Sequence, residues 1–239
     1  MPADNPIIVA LDCDATEAMA LAHVLRGRVT WLKVGMTLYY AEGPSIVARL
    51  SEMGFSIFVD LKLHDIPHQV AGAAAAIAKL GVGMFTVHAA GGSAMMLAAV
   101  EASRRAAEEV GVAAPAVLAV TVLTSTDDAG LAEIGVNGTA AEQVPRLARL
   151  AAAAGVDGVV CSPREAALMR EILGDDALVV TPGVRPSWSE SADQVRIATP
   201  AAALAAGASH LVIGRPITGT PNPAESAARI LSEIEEELS

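Results

Sequence analysis

Asp60, Lys62, His64 and Asp65 fall within six positions of the stretch "DLKLHDIPHQV" (60–70), directly behind the strand-like run "FSIFV". A strand heading into a protein interior has no use for such residues unless they do chemistry, because burying an unpaired charge costs several kcal/mol or forces the group to neutralise. Strand alternation turns Asp60, Lys62 and, while the strand lasts, His64 to one side. Lys33, in the preceding strand-like run "TWLKVG", reaches the same side. In an Asp–Lys–Lys cluster each charge offsets the next and the lysines stay cationic in a shielded site. That favours an ammonium donor over a nucleophilic amine and argues against a Schiff-base aldolase using Lys62. Asp65 has the opposite parity. It need not face the pocket that holds Lys62 of its own chain, and a second chain could receive it.

The elements that must hold these charges are legible as an alternation. Strand candidates cover 6–12, 30–35, 55–63, 84–89, 116–124, 158–162, 178–184 and 210–215, and helical stretches lie between them near 16–27, 44–53, 67–80, 92–110, 139–154, 163–173, 199–206 and 223–237. Near-continuous apolar strands indicate a parallel sheet covered on both faces. Eight strand–helix units in 239 residues suit an α/β fold of the (β/α)8 TIM-barrel type, typically about 250 residues long. An open doubly wound sheet is the rival. No Pro/Ser-rich linker divides the chain, so 1–239 is expected to be a single barrel domain.

Composition narrows the function. The chain is 53% hydrophobic but only 3% aromatic, which predicts an aliphatic, Ala-rich core. A net charge of −11 repels phosphate backbones and argues against nucleic acid as a partner, while leaving room for a local cationic pocket that takes one small anion. Cys13 and Cys161 are the only cysteines and read as small apolar residues of a reducing cytoplasm rather than a disulfide framework. The N-terminus has no basic region followed by an apolar run, so no signal peptide is expected. No apolar run reaches the roughly 18–20 residues of a membrane span.

In a barrel the active site forms at the C-terminal strand ends. Those ends carry Asp12, Lys33, Asp60 with Lys62, His88, Thr124, Ser162, the "TPGVR" run with Arg185, and Gly214–Arg215. Each has a plainer reading alone, since Asp and Ser cap helices and Asp65 before Pro67 suits a helix start. Two lysines within strands resist that explanation. Loops after strands 7 and 8 often hold phosphate in barrels. "GVRPSWSESADQ" is long and polar, as a lid would be, and Arg215 offers a planar fork of donors to phosphate oxygens beside a glycine that permits close approach.

"DLKLHDIP", together with "LKVGM", "VHAAGG", "AVTVLTS", "DGVVCS", "TPGVRP", "DQVRIATPAAA" and "IGRPIT", resembles the orotidine 5′-phosphate decarboxylases of the bacterial type over nearly the whole chain. The resemblance implies a cofactor-independent, cytoplasmic, homodimeric (β/α)8 enzyme, with sites at the subunit interface, that converts orotidine 5′-monophosphate to UMP and CO2. It implies Lys62 as proton donor to C6 of the pyrimidine. Asp60 and Lys33 complete the charged array, with Asp65 supplied by the partner chain. Asp12 and Lys33 would bind ribose hydroxyls and Thr124 the pyrimidine edge, and Arg185, Gln194, Gly214 and Arg215 would hold the phosphate and its covering loop. One departure stands out. The family commonly carries a small hydroxyl or amide pair after "DIP", often ending in Thr, where this chain has His68–Gln69.

Three rivals remain. A zinc hydrolase would draw on His64, His68 and His88, but no H-E-x-x-H or carboxylate-rich ligand set accompanies them, and no metal is expected. The magnesium-dependent sugar-acid phosphate decarboxylases share D-x-K-x-x-D but typically carry an acidic residue in place of Lys33. A non-catalytic phosphate-binding module would leave Asp60, Lys62 and Lys33 without a purpose.

Overall fold

A computed structural model describes residues 5–188 and 198–238. Eight parallel strands close into a barrel in chain order: β1 (Ile7–Leu11), β2 (Trp31–Gly35), β3 (Ser56–Leu63), β4 (Met84–His88), β5 (Ala116–Val120), β6 (Gly158–Val160), β7 (Leu178–Pro182) and β8 (His210–Ile213). The closed topology confirms the TIM-barrel expectation over the open sheet. The strand cores match the apolar runs, but several strands end sooner than their runs suggest. In β5, pairing stops at Val120, so Thr124 sits on the loop beyond it.

The barrel interior is filled by Ile8, Ala10, Phe58, Met84, Leu118, Val180 and Val212. Trp31 and His210 meet edge to face beneath them, with ring centroids 5.8 Å apart. Gly83 is required here, since a Cβ at that position would collide with the Trp31 indole. A larger aliphatic cluster fills the space between strands and helices. Its side chains come from alternate strand positions, which is why the strands read as continuously apolar.

The helices use the local signals the sequence advertises. Pro67 occupies the first turn of the helix Pro67–Ala78, where its missing N–H costs nothing. Ser93–Val110 packs beside it through a small cluster of Ala78, Ala106 and Ala107, and such small side chains allow close approach. The helix Ala140–Ala153 begins with a Thr139–Glu142 capping box. Three short helices, Met36–Glu42, Asp128–Glu133 and Arg215–Thr218, occupy stretches read as loop or strand end. Among the described residues no helix is long and apolar enough to cross a membrane.

Candidate active site

A cavity of about 340 Å³ opens at the C-terminal mouth of the barrel and contains most of the expected site. Asp12, Lys33, Asp60 and Lys62 line one side, Thr124 a second, and Arg185, Gly214 and Arg215 the β7–β8 side. Gln194 falls outside the described residues.

Strand register brings the charges together. Ala10 pairs with Lys33, and Gly35 with Asp60. Lys33 therefore stands between Asp12, one residue past β1, and Asp60. Its Nζ donates to Asp12 Oδ1 at 3.0 Å and lies 3.6 Å from Asp60 Oδ2. Gly35 is a site residue that sequence reasoning missed. A Cβ there would sit 3.0 Å from Lys33 Nζ and 3.2 Å from Asp12 Oδ1, wedged against the ion pair.

Lys62 Nζ donates to both Asp60 oxygens at 2.9 Å. The Asp60 side chain is only 13% exposed and that of Lys33 10%, so this is a shielded cluster in which each charge requires the others. Burial by itself would raise the Asp60 carboxyl, but Lys33, Lys62 and the hydrogen bonds from Lys62 and Thr86 outweigh it and hold the group below its ordinary value of 3.8. Asp60 is thus a fixed anion that holds an ammonium at the cavity wall.

The simple alternation expected for β3 does not survive. Val59 pairs with Phe85, and the next pair with β4 is Leu63 with Val87. Asp60, Leu61 and Lys62 thus face the single residue Thr86 across an irregular bulge. Lys62 takes φ = 52°, the only positive φ outside glycine among the described residues. Thr86, fully buried, accepts the Lys62 backbone N–H at 2.8 Å and donates to Asp60 Oδ1 at 2.9 Å. Sequence reasoning passed over Thr86. Its one visible signal was a hydroxyl in the otherwise apolar start of "MFTVH".

Other strand-end residues divide. Ser162 does not line the cavity. It is buried as a cap, its Oγ accepting Arg164 N–H at 3.3 Å while its own N–H donates to Glu165 Oε2 at 2.9 Å, so the plain capping reading is the right one there. His88 also stays outside the cavity wall, its ring 5.4 Å from that of His64. Burial, with His64 and Lys62 nearby, lowers His88 below its ordinary value against the opposing effect of Asp60. His64 does not share the cavity with Asp60. It is exposed and lines a separate shallow groove with Tyr40, Lys62, Asp65 and Gln69. Asp65 is exposed, accepts the Ile66 N–H at 2.6 Å and forms no ion pair with Lys62 of its own chain. Lys62 borders both the cavity and this groove.

On the opposite side of the mouth, Val184 bridges to Ala198, and the Arg185 N–H donates to the Ala198 carbonyl at 3.0 Å. The two stems of the long polar loop are thereby joined next to Arg185. Farther along, the Arg229 guanidinium sits 4.3 Å over the Trp188 ring, and Glu233 Oε1 accepts the Ser187 N–H at 3.0 Å, tying the outgoing stem to the C-terminal helix Pro223–Leu238. Arg215 opens the short helix after β8 rather than ending the strand. A Cβ on Gly214 would come no nearer than 3.7 Å to Ala10. The chain itself does not crowd that glycine, and any demand for its smallness would come from what enters the cavity.

A profile of the orotidine 5′-phosphate decarboxylase / HUMPS family matches residues 5–230. The chain belongs to that family. The orotidine 5′-phosphate decarboxylase of Halorhodospira halophila is 53% identical over 235 residues, covering 98% of each chain. That of Paramagnetospirillum magneticum is 49% identical over 231 residues, covering 96% of this chain and 98% of the relative. The crystal structure of the Lactobacillus acidophilus orotidine 5′-phosphate decarboxylase superposes with a TM-score of 0.86 at 40% identity, over 97% of this chain and 99% of that one. The family resemblance of the "DLKLHDIP" stretch therefore extends over sequence and fold alike.

Proposed function

We propose that this protein is a carboxy-lyase that decarboxylates orotidine 5′-monophosphate to UMP and CO2, the last step of UMP synthesis. Family membership and near-full-length similarity to decarboxylases support the reaction. The observation that carries the assignment to particular residues is the Lys62 ammonium, held by both oxygens of Asp60 at 2.9 Å on the wall of a cavity whose far side presents Arg185 and Arg215. The two arginines and Gly214, with Gln194, hold the 5′-phosphate. Asp12 and Lys33 take the ribose hydroxyls, and Thr124 the pyrimidine edge. The substrate carboxylate then lies against the Asp60–Lys62 pair. As the C6–carboxylate bond breaks, its electron pair stays at C6 and CO2 leaves. The preplaced ammonium stabilises that charge without the reorganisation water would need. Its proton then passes to C6 to give UMP, and Lys62 is reprotonated from solvent. Lys33 occupies the position where the magnesium-dependent sugar-acid relatives typically carry an acidic residue, which favours orotidine monophosphate as substrate.

The working unit we infer is a cytoplasmic homodimer of single barrel domains, with Asp65 reaching the partner's site. Asp65 lies on the rim rather than in its own cavity, and large side chains beside it, Tyr40 at 72% and Ile66 at 63%, are exposed. Gln69 shares that groove, so the departure from the family's usual pair falls on the same surface. Both cysteines are free thiols, which suits a reducing compartment. The deciding assay is formation of UMP from orotidine 5′-monophosphate in the presence of a chelator. Turnover there supports the reading; absence of turnover that magnesium restores would point to the metal-dependent relatives instead.

A further inference from the structure

We infer that Thr86 is a positioning residue for this reaction, its hydroxyl pinning the β3 bulge so that Lys62 and Asp60 face the substrate as one rigid pair. The inference rests on the roles assigned above to Lys62 and Asp60. Three residues of β3, Asp60 to Lys62, lie opposite Thr86 alone, so the ladder cannot supply a carbonyl to every N–H in the bulge. The Lys62 N–H goes to the Thr86 hydroxyl instead, at 2.8 Å. That N–H is part-buried, and losing its acceptor would cost up to about 1–3 kcal/mol, the penalty of a fully buried unsatisfied donor. The hydroxyl has one proton, and it is directed to Asp60 Oδ1 at 2.9 Å. One buried oxygen therefore fixes the backbone of the lysine and the carboxylate that holds the lysine's ammonium.

Geometry explains why such a clamp is needed. Lys62 sits at φ = 52°, where a side chain with a Cβ is disfavoured by about 1–2 kcal/mol. Without a specific partner the bulge would relax toward ordinary strand geometry and carry Nζ away from the cavity. Thr86 points into the barrel on the same strand face as Met84, two residues below it in the interior cluster. From there it reaches β3 but does not line the cavity. It touches no substrate and acts only through Lys62 and Asp60.

The test compares Thr86→Val, which keeps the branched shape and loses the hydroxyl, with Thr86→Ser, which keeps the hydroxyl. Thr86→Ala replaces the valine variant if that one fails to fold. Removal of the hydroxyl should lower kcat about a hundredfold, the scale of a 1 Å misplacement of reacting groups, while KM and UMP affinity stay within about threefold, because the phosphate and ribose contacts are untouched. Thr86→Ser should recover most of kcat. The Asp60 carboxylate, followed by carbon NMR of labelled aspartate, should titrate higher in the hydroxyl-less variant and as in the parent in Thr86→Ser. Equal loss in the valine and serine variants, or kcat within threefold of the parent in Thr86→Val with Asp60 titration unmoved, overturns the inference. Lys62→Ala run alongside separates the two levels: an active Lys62→Ala enzyme defeats the proton-donor reading itself, whereas an inactive one with an unaffected Thr86→Val defeats only the role of Thr86.

Discussion

Replacing Lys62 by alanine removes the ammonium and leaves the rest of the cluster in place. The direct Lys62–Asp60 attraction at 2.9 Å amounts to about 6 kcal/mol at an effective dielectric constant near 20. Much of it is offset by the desolvation both groups have already undergone. Asp60 does not become an unpaired buried charge in the variant, because Lys33 at 3.6 Å and the Thr86 hydroxyl at 2.9 Å remain. The fold should therefore lose no more than about 2 kcal/mol, below the roughly 3–5 kcal/mol typical when a buried charge is stranded. A companion substitution probes the backbone. At φ = 52° glycine is unstrained and alanine is not, so Lys62→Gly should be at least as stable as Lys62→Ala, the reverse of the usual ranking within strands. Activity should respond very differently from stability. Loss of a general acid costs about 10²–10⁴ and loss of a preorganised charge about 10²–10³. Together they amount to about 10⁴–10⁷, or roughly 5–10 kcal/mol of barrier. Release of labelled CO2 measures turnover, calorimetry with UMP confirms an intact binding site, and urea titration gives stability. Turnover within about tenfold of the parent, equivalent to ~1.4 kcal/mol, would refute the proton-donor role.

Arg215→Ala should weaken UMP binding far more than uridine binding and lower kcat/KM, since remote phosphate contacts help assemble the reacting site; equal losses for UMP and uridine in calorimetry would remove Arg215 from the phosphate site. Lys62→Ala and Asp65→Ala homodimers should both be inactive. Subunit exchange between them should restore about a quarter of parental activity, because half the dimers are mixed and each has one complete site; verified exchange without recovery would return Asp65 to its own chain. Stability should fall in acid in two stages. His88 is lowered from 6.5 by burial, His64 and Lys62, so below that pH the unfolded chain binds a proton the folded chain refuses, and stability drops until the folded value is reached. Asp60, held below 3.8, contributes stability above that value and loses it as pH falls through its folded value. Urea titrations at about pH 7.5 and 5.5 should show a smaller acid loss for His88→Asn than for the parent.

The barrel was readable from the sequence because its physical cause is local. Runs such as "PIIVALD" and "AVLAV" are apolar on both strand faces, which requires cover on both sides, and the Ala-rich stretches between them supply that cover. Asp12, Lys33, Asp60, Lys62, Thr124, Arg185 and Arg215 were identifiable for the same reason: each is a polar residue in the C-terminal part of an apolar strand run or on the loop just after it, and closure of the barrel brings those ends to one mouth. The three unforeseen helices are only 7, 6 and 4 residues long, well short of the roughly 11–18 residues over which an amphipathic pattern repeats often enough to be recognised. Ser162 and His88 occupy the same kind of position as the cavity residues yet serve a cap and a ring pair. Composition at a strand end does not distinguish these uses, because the direction of a side chain there depends on where pairing stops. The bulge at Lys62 is a relation between two strands. Nothing in "DLKLHD" alone states that Val59 and Leu63 will pair with residues only two apart on β4. That mismatch sets the φ of Lys62, brings Thr86 into the charged cluster, and turns His64 and Asp65 out to the rim. Residue type determined which groups were available for chemistry; tertiary register decided which of them meet, because hydrogen bonds between neighbouring strands, and not local preference, set the direction in which each side chain leaves the sheet.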